Sequence, residues 1–259
     1  MADVVVPIFG RGDLLRRLMP ALEGHDVILV DDASPDDETR AIVRGYAERG
    51  VRAVFHERNL GFPASVNDGA ALVGGDRFFL MNTDVMPQAG WAEQMGRALE
   101  ADRRTGAVGA LILSPDGLMV QHDGVDFRDD GLPVHLYRFF TRRAPEVNTP
   151  RELSMVTYAA VLLRTSAFRE VGMLDTAFGY GMYDDCDAGL RMREKGWACV
   201  YQPAAVFLHD ESASFTARSD DLEIRMAGKE HFIEKWVESG RWKDLRINRE
   251  ITLSGCRDR

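Results

Sequence analysis

Strand and helix signals alternate through the first part of the chain, and this alternation restricts the fold more than any other feature of the sequence. Asp3 to Phe9 is apolar and β-branched, Asp13 to Leu22 has helical spacing, and Val27 to Val30 is apolar again, which is a βαβ beginning. A helix through Glu38 to Arg49, a strand at Arg52 to His56, a helix at Pro63 to Leu72 and an apolar strand at Arg77 to Met81 continue the series. The pattern predicts an α/β protein with a parallel, doubly wound sheet whose ligands sit at the carboxyl ends of the strands. Asp31, Asp32, Asn82 and Asp84 all fall at such ends.

From Val108 to Pro150 the pattern becomes irregular and reads as loops and short strands, with a basic-aromatic stretch, Tyr137-Arg-Phe-Phe-Thr-Arg-Arg143. A strand at Met155 to Arg164, a helix from near Ser166 and a strand at Ala198 to Leu208 complete the sheet. Ser219 to Glu238 reads as a C-terminal helix capped by Ser219, with Leu222, Met226, Phe232, Ile233, Trp236 and Val237 as its core-packing residues.

With 259 residues, 45% of them hydrophobic, the chain can bury a full core as one large or two small domains. Its formal net charge of -9 argues against tracking a nucleic-acid backbone, a task that needs clustered Lys and Arg. Cys186, Cys199 and Cys256 have no metal-type spacing and suit a reducing compartment. No run approaches the roughly 20 apolar residues that span a bilayer, and no basic segment leads an apolar one at the N-terminus. The expected location is the cytoplasm, with membrane contact at most peripheral, at the inner face.

Two motifs carry chemistry of uncertain kind when read alone. Gly10-Arg-Gly12-Asp-Leu-Leu15 follows a strand and opens a helix, as a dinucleotide fingerprint does, but Leu15 stands where the third glycine belongs, so the glycines read as turn residues. The stretch Phe178 to Trp197 packs three carboxylates, Asp184, Asp185 and Asp187, into four residues at the start of a helical pattern. Like charges this close need a cation, an arginine or a proton, so the cluster is either a solvated helix start or a working site.

The segments Val4-Val-Val-Pro7-Ile-Phe9, Val30-Asp-Asp-Ala-Ser-Pro-Asp36, Arg58 to Asn67, Met81-Asn-Thr-Asp84-Val-Met-Pro87, the acidic cluster and His209 to Phe215 occur in one order. Together they resemble family 2 glycosyltransferases of the GT-A fold, especially the rhamnosyltransferase-like branch, over roughly residues 3 to 240. The resemblance implies a single Rossmann-like, doubly wound mixed sheet flanked by helices. It divides the chain into a catalytic domain, 1–218, with a nucleotide-sugar half at 1–107 and an acceptor half at 108–218, followed by a helical extension at 219–259.

The resemblance also implies site roles. Pro7, Phe9, Asp32, Arg58, Asn67, Asn82 and Thr83 would bind the nucleotide. Phe9 offers a flat face for a base and Asp32 an acceptor for a base N–H, although Phe9 also suits the core and Asp32 a turn with Ser34 and Asp36. Asp84 matches the last acid of the family's DxD motif, and His209 the histidine that completes the metal site, so the implied cofactor is Mn2+ or Mg2+. Here Asn82 replaces the first acid of that motif.

Asp185 matches the general base, with Asp184 where the family usually has Glu. Asp187 and Arg191, spaced i,i+4, read as a salt bridge that orients the helix start, and Trp197 as core or a sugar platform. The expected partners are a nucleotide-sugar donor, UDP or dTDP linked, and a hydroxyl acceptor such as a glycan or glycoconjugate. A non-catalytic nucleotide-sugar binder and a nicotinamide-dependent oxidoreductase are the rival readings.

Overall fold

The computed structural model describes residues 2–210 and 221–247, with the side chains of all but 221–225. The sheet is built outward from β1 (Asp3–Ile8), whose Val4, Val5 and Val6 are all fully buried. A strand apolar on both faces must be covered on both, and helices α1 (Gly12–Leu18), α2 (Asp37–Ala47) and α3 (Phe62–Ala71) are the crossovers that cover it. They connect β1 with β2 (Asp26–Asp31), β3 (Arg52–Phe55) and β4 (Arg77–Met81), and these four strands pair in parallel in the order β4-β1-β2-β3. α2 starts where it does because the Asp36 carboxylate accepts the Thr39 N–H at 2.7 Å and two acids follow in the first turn.

After β5 (Val85–Pro87) and α4 (Trp91–Ala101) comes β6 (Thr105–Leu113), nine residues long and buried throughout. This corrects the irregular reading of the region from Val108 onward. Gly106 and Gly109 weaken the strand signal, yet both are needed by their neighbours. A Cβ at Gly109 would lie 2.7 Å from the Val156 side chain, and one at Gly106 would lie 3.1 Å from Trp197.

Short strands β7 (Val120–His122), β8 (Val125–Phe127), β9 (Pro133–His135) and β10 (Arg151–Leu153) follow, then β11 (Ala160–Arg164) and α5 (Thr165–Glu170). β11 is shorter than the expected Met155 to Arg164, because Met155, Val156 and Tyr158 are buried in the core ahead of it rather than paired in the sheet. It runs antiparallel between β4 and β6, so the sheet is mixed and not wholly parallel. Helix α6 (Asp184–Glu194) then leads into β12 (Ala198–His209), which lies parallel to β6. The ten-stranded sheet thus presents the carboxyl ends of β1, β2, β4, β6 and β12 along one edge.

Among the described residues the last elements are α7 (Asp221–Phe232), a π-helical continuation at Ile233–Glu238, and α8 (Trp242–Leu245). Ser219, the side chain of Leu222 and Cys256 lie outside the described residues. Phe232 and Trp236 are fully buried against Phe178, Cys186 and Leu190, as the apolar spacing predicts, whereas Met226 is exposed.

Candidate active site

The carboxyl edge of the sheet brings together residues that lie far apart in sequence. β4 ends at Met81, and the Asn82 N–H is held by the Ala159 carbonyl at 2.9 Å. β5 then turns back to pair with β12, in a register that sets Val85 opposite His209. Buried Asp84 therefore faces His209, with Oδ1 3.4 Å from Nε2, and the Asp210 N–H donates to the Asp84 carbonyl at 3.1 Å.

Adjacent ligands of an octahedral Mg2+ stand about 3.0 Å apart at the usual bond length of about 2.1 Å, so Asp84 and His209 suit two neighbouring positions on such a cation. His209 Nδ1 is buried and has no hydrogen-bond partner among the described residues. Among those residues no group of three His, Cys, Asp or Glu side chains forms a ready metal cage. The donor set fits a cation that takes its remaining ligands from water and phosphate oxygens.

Two neighbours of this pair escaped the sequence reading. Arg11, in the left-handed conformation with φ 56°, precedes α1. The hydrogen-bonded Asp13 carboxylate, with Asp210 and Asp84 beyond it, raises the pKa of its guanidinium. Its position between Gly10 and Gly12 was the available signal. His122, buried at the end of β7, meets His135 edge-on at 4.1 Å and has His209 at 6.4 Å between ring centroids. Burial, reinforced by His135 and His209, pushes His122 well below the usual histidine range, so it is a neutral ring.

Of the residues expected to bind the nucleotide, Pro7 and Phe9 lie half-buried at the end of β1, and Asn82 and Thr83 half-buried after β4. The Asp32 carboxylate already accepts three hydrogen bonds, from His56 Nδ1 at 2.7 Å, Leu60 N–H at 2.7 Å and Gly61 N–H at 2.8 Å. A carboxylate has roughly four acceptor positions, so about one remains open. The turn role weighed for Asp32 falls instead to Asp31, which accepts the Ser34 N–H at 3.0 Å. Arg58 is exposed.

Asn67 requires a correction. Its amide donates to the Leu174 carbonyl at 2.8 Å and accepts the Leu174 N–H at 2.9 Å, a two-point clamp on a distant loop that removes it from the donor-binding set. The glycine turn also excludes the dinucleotide reading. The Gly10 and Gly12 N–H groups, which would cradle a pyrophosphate, donate to Ser34 Oγ at 2.9 Å and Thr39 Oγ1 at 2.8 Å.

The acidic cluster opens α6 behind a strained loop. Gly179, Gly181, Met182 and Tyr183 all have positive φ, and for Met182 (74°) and Tyr183 (67°) that conformation costs about 1–3 kcal/mol each. Neighbours hold the loop in place: a Cβ on Gly61 would run into the Gly179 carbonyl, and one on Gly228 of α7 would lie 2.7 Å from that of Met182.

Asp184 is buried, with Oδ2 unpartnered among the described residues. Burial, then the charge of Asp185, pushes its carboxyl well above the usual range. Asp185 is half-buried, and its Oδ1 accepts the Cys186 N–H at 2.7 Å and its Oδ2 the Tyr158 N–H at 3.3 Å. Burial raises its pKa as well, so the two acids form an interacting pair.

Asp187 accepts Arg191 Nε at 2.7 Å, which is the i,i+4 bridge read from the spacing, and also meets Trp236 Nε1 and Lys235 Nζ, each at 2.8 Å. Arg191 also donates to the Val171 carbonyl and is structural. Trp197 is corrected as a sugar platform. It precedes the twelve-residue β12, whose far end carries His209, and its indole N–H binds Glu170 at 3.0 Å. Along β12 its partners on β6 run from Thr105 to Leu113, which at about 3.3 Å per residue sets Trp197 about 26 Å from the site edge.

Residues 3–172 match the family model described as Glycosyl transferase family 2. Among curated proteins, the chain is 30% identical over 208 residues to the pre-mycofactocin glycosyltransferase of Mycobacterium tuberculosis, covering 80% of this chain and 42% of that protein. It is 29% identical over 238 residues to the N-acetylglucosaminyl-diphospho-decaprenol L-rhamnosyltransferase of the same organism, covering 82% and 76%. Among solved structures, GalNAc-T7 with UDP, GalNAc and Mn2+ superposes with a TM-score of 0.71 at 14% identity, over 93% of this chain and 48% of that one. The mannosyltransferase PcManGT of Pyrobaculum calidifontis, with GDP-Man and Mn2+, gives 0.62 at 18% identity, over 92% and 64%. The fold is therefore that of the GT-A glycosyltransferases. The chain spans about two fifths of the length of the mycofactocin relative.

Proposed function

This chain belongs to glycosyl transferase family 2, and we propose that it is an inverting, metal-dependent member that moves a sugar from a UDP- or dTDP-sugar to a hydroxyl acceptor. One observation carries the reading: the segment that precedes β11 bridges the two halves of the site. Its Tyr158 N–H binds Asp185, and its Ala159 carbonyl binds Asn82, so the base is tied to the strand end that carries Asp84.

In the proposed reaction the acceptor hydroxyl oxygen attacks the anomeric carbon while the bond from that carbon to the donor's diphosphate oxygen breaks. The hydroxyl proton passes to Asp185, and the nucleoside diphosphate leaves. Attack from the face opposite the leaving group inverts the anomeric centre. Burial and the Asp185 charge raise Asp184 the further, so Asp184 holds its proton and Asp185 is the member of the pair that ionises first and is free to accept the acceptor's proton.

Asp84 and His209 would hold the cation, whose chemistry when bound is to neutralise charge developing on the departing diphosphate. Both solved neighbours carry Mn2+ with a nucleotide, which supports that assignment. The rhamnosyltransferase relative supports a deoxyhexosyl donor and a glycoconjugate acceptor. In this reading residues 1–107 bind the donor and 108–218 form the acceptor side, 219–259 being the extension whose Lys235 and Trp236 brace the acidic cluster, with the protein working in the cytoplasm.

Thermal stabilisation by a panel of nucleotide sugars, with and without Mn2+, tests the donor assignment. A ligand at 100 times its dissociation constant adds about 2.7 kcal/mol to the folded state. UDP- or dTDP-sugars should raise the melting temperature only when the cation is present. Stabilisation by guanosine or adenosine donors alone, or by pyridine nucleotides without metal, would overturn it.

A further inference from the structure

The basic-aromatic stretch at 137–143 takes no part in the site described above, yet it is the most unusual surface of the molecule. Phe139 is 70% exposed and Leu118 59%, more than any other large hydrophobic side chain among the described residues, and Met119 is 39% exposed. They adjoin one another. Met119 bridges Thr141 in antiparallel fashion, the Arg142 N–H donates to the Leu118 carbonyl at 3.0 Å, and the Phe139 N–H donates to the Val120 carbonyl at 2.8 Å.

The backbone is strained to hold this display. Tyr137 and Phe139 have φ of 42° and 69°, in a region where bulky residues are rare. Two exposed arginines, Arg142 and Arg143, frame the apolar side chains and form no ion pair among the described residues, and half-buried Arg138 lies over the Phe139 ring at 5.1 Å. The acids nearest in sequence are Asp116 and the exposed Glu146. Asp116 turns its carboxylate into its own loop, accepting the Ser114 hydroxyl at 2.5 Å and the Leu118 N–H at 3.0 Å. Such a basic edge stands out on a chain whose net charge is -9.

We propose that the edge formed by Leu118, Met119, Phe139, Arg142 and Arg143 docks on the headgroup surface of an anionic phospholipid bilayer. Charge complementarity selects this occupant. Guanidinium groups bind lipid phosphates while an aromatic ring and two aliphatic chains enter the interfacial layer, so one surface satisfies both components of the edge. A second copy of the chain suits it poorly, because a two-fold contact would bring the arginines of one protomer against those of the other. Docked in this way, the strand leading to His122 rises from the membrane, and Gly117 of the same turn lies beside Leu208, next to His209. The inference does not depend on the sugar, the metal or the base assignment.

Flotation of the full chain with phosphatidylcholine vesicles, with and without phosphatidylglycerol, tests the proposal. Binding should require phosphatidylglycerol and weaken as salt rises. Arg142→Gln with Arg143→Gln should reduce partition by roughly fivefold per arginine. Phe139→Asn removes the ring but suits positive φ, so it should lower partition while keeping or raising the melting temperature. Equal partition onto both vesicle types, or variants that bind like the parent, would overturn the proposal. So would a concentration-dependent dimer in sedimentation equilibrium that Phe139→Asn dissolves, since the edge would then be a contact between copies.

Discussion

Trp236 donates its indole N–H to the Asp187 carboxylate at 2.8 Å from 49 residues further along the chain, inside the core. The last described segment of the protein therefore reaches into the first turn of the helix that presents Asp184 and Asp185. Lys235 makes the same connection at 2.8 Å, and Gly228 presses against the strained loop ahead of that helix. The C-terminal segment is a brace for the acidic cluster.

Trp236→Phe keeps most of the apolar volume and deletes one charge-assisted hydrogen bond to a fully buried carboxylate. Stability should fall by about 1–3 kcal/mol, measured by urea unfolding. If the brace positions the base, kcat should fall with the donor KM little changed. A loss of stability with kinetics intact would limit Trp236 to a structural role.

Asp185→Asn should reduce transfer by a factor of about 10² to 10⁴ while leaving donor binding nearly intact. The companion variant Asp184→Asn tests the coupling of the pair. Asp184 is raised the further, by burial and then by the Asp185 charge, so it is the partner that holds its proton, and Asp184→Asn replaces one uncharged group with another. A base works when deprotonated, and the acid limb of the pH–kcat profile, which follows Asp185, should stay in place. A limb that moves to lower pH would mean that Asp184 carries a charge beside the working base.

Asp84→Ala should abolish the Mn2+-dependent stabilisation by nucleotide sugar, and chelator should abolish transfer in the parent protein. His209→Ala should weaken the metal response less, because it removes a neutral ligand and leaves the carboxylate. An unchanged Mn2+ titration for either variant would remove that residue from the cation site.

Partial burial opposes ionisation of Asp175, but the Lys235 ammonium, the Ala177 N–H and His231 outweigh it and hold the carboxyl down to about 2. The unfolded value is about 3.9, so the folded pKa is the lower one. Its contribution to stability is present above that unfolded value and is lost as pH falls through 2. Asp175→Asn should be less stable than the parent at neutral pH, with the difference closing in acid. A gap that stays constant from neutral pH to pH ~2 would rule out this linkage.

Two glycine substitutions should have opposite signs. Gly61 has φ 92°, and an added Cβ would collide with the Gly179 backbone, so Gly61→Ala should destabilise by more than about 2 kcal/mol. Gly45 lies within α2 with nothing near its open side, so Gly45→Ala should stabilise by about 0.5–1 kcal/mol. Thermal melts of the two variants measure both.

The parallel half of the sheet was legible because its information is local. Valine runs with helical segments between them dictate buried strands and crossovers, and Asp36 followed by acids marks a helix start. The same holds for Asp187 and Arg191, which are four residues apart on one helix face. The order of motifs along the chain also carried the family and the GT-A fold.

Other features depend on residues that meet only after the chain has packed. β6 looks weak in sequence because Gly106 and Gly109 are small, and they are small because Trp197 and Val156 lie against them. Asn67 resembles a ligand contact until Leu174 arrives to occupy both ends of its amide. Arg11 gains its meaning from Asp84 and Asp210, and Asp187 from Trp236. Hydrophobic period and capping register contacts within a few residues, whereas a hydrogen bond spanning 49 or 107 residues depends on the relative placement of whole elements, so only the tertiary structure decides which polar groups remain available for chemistry.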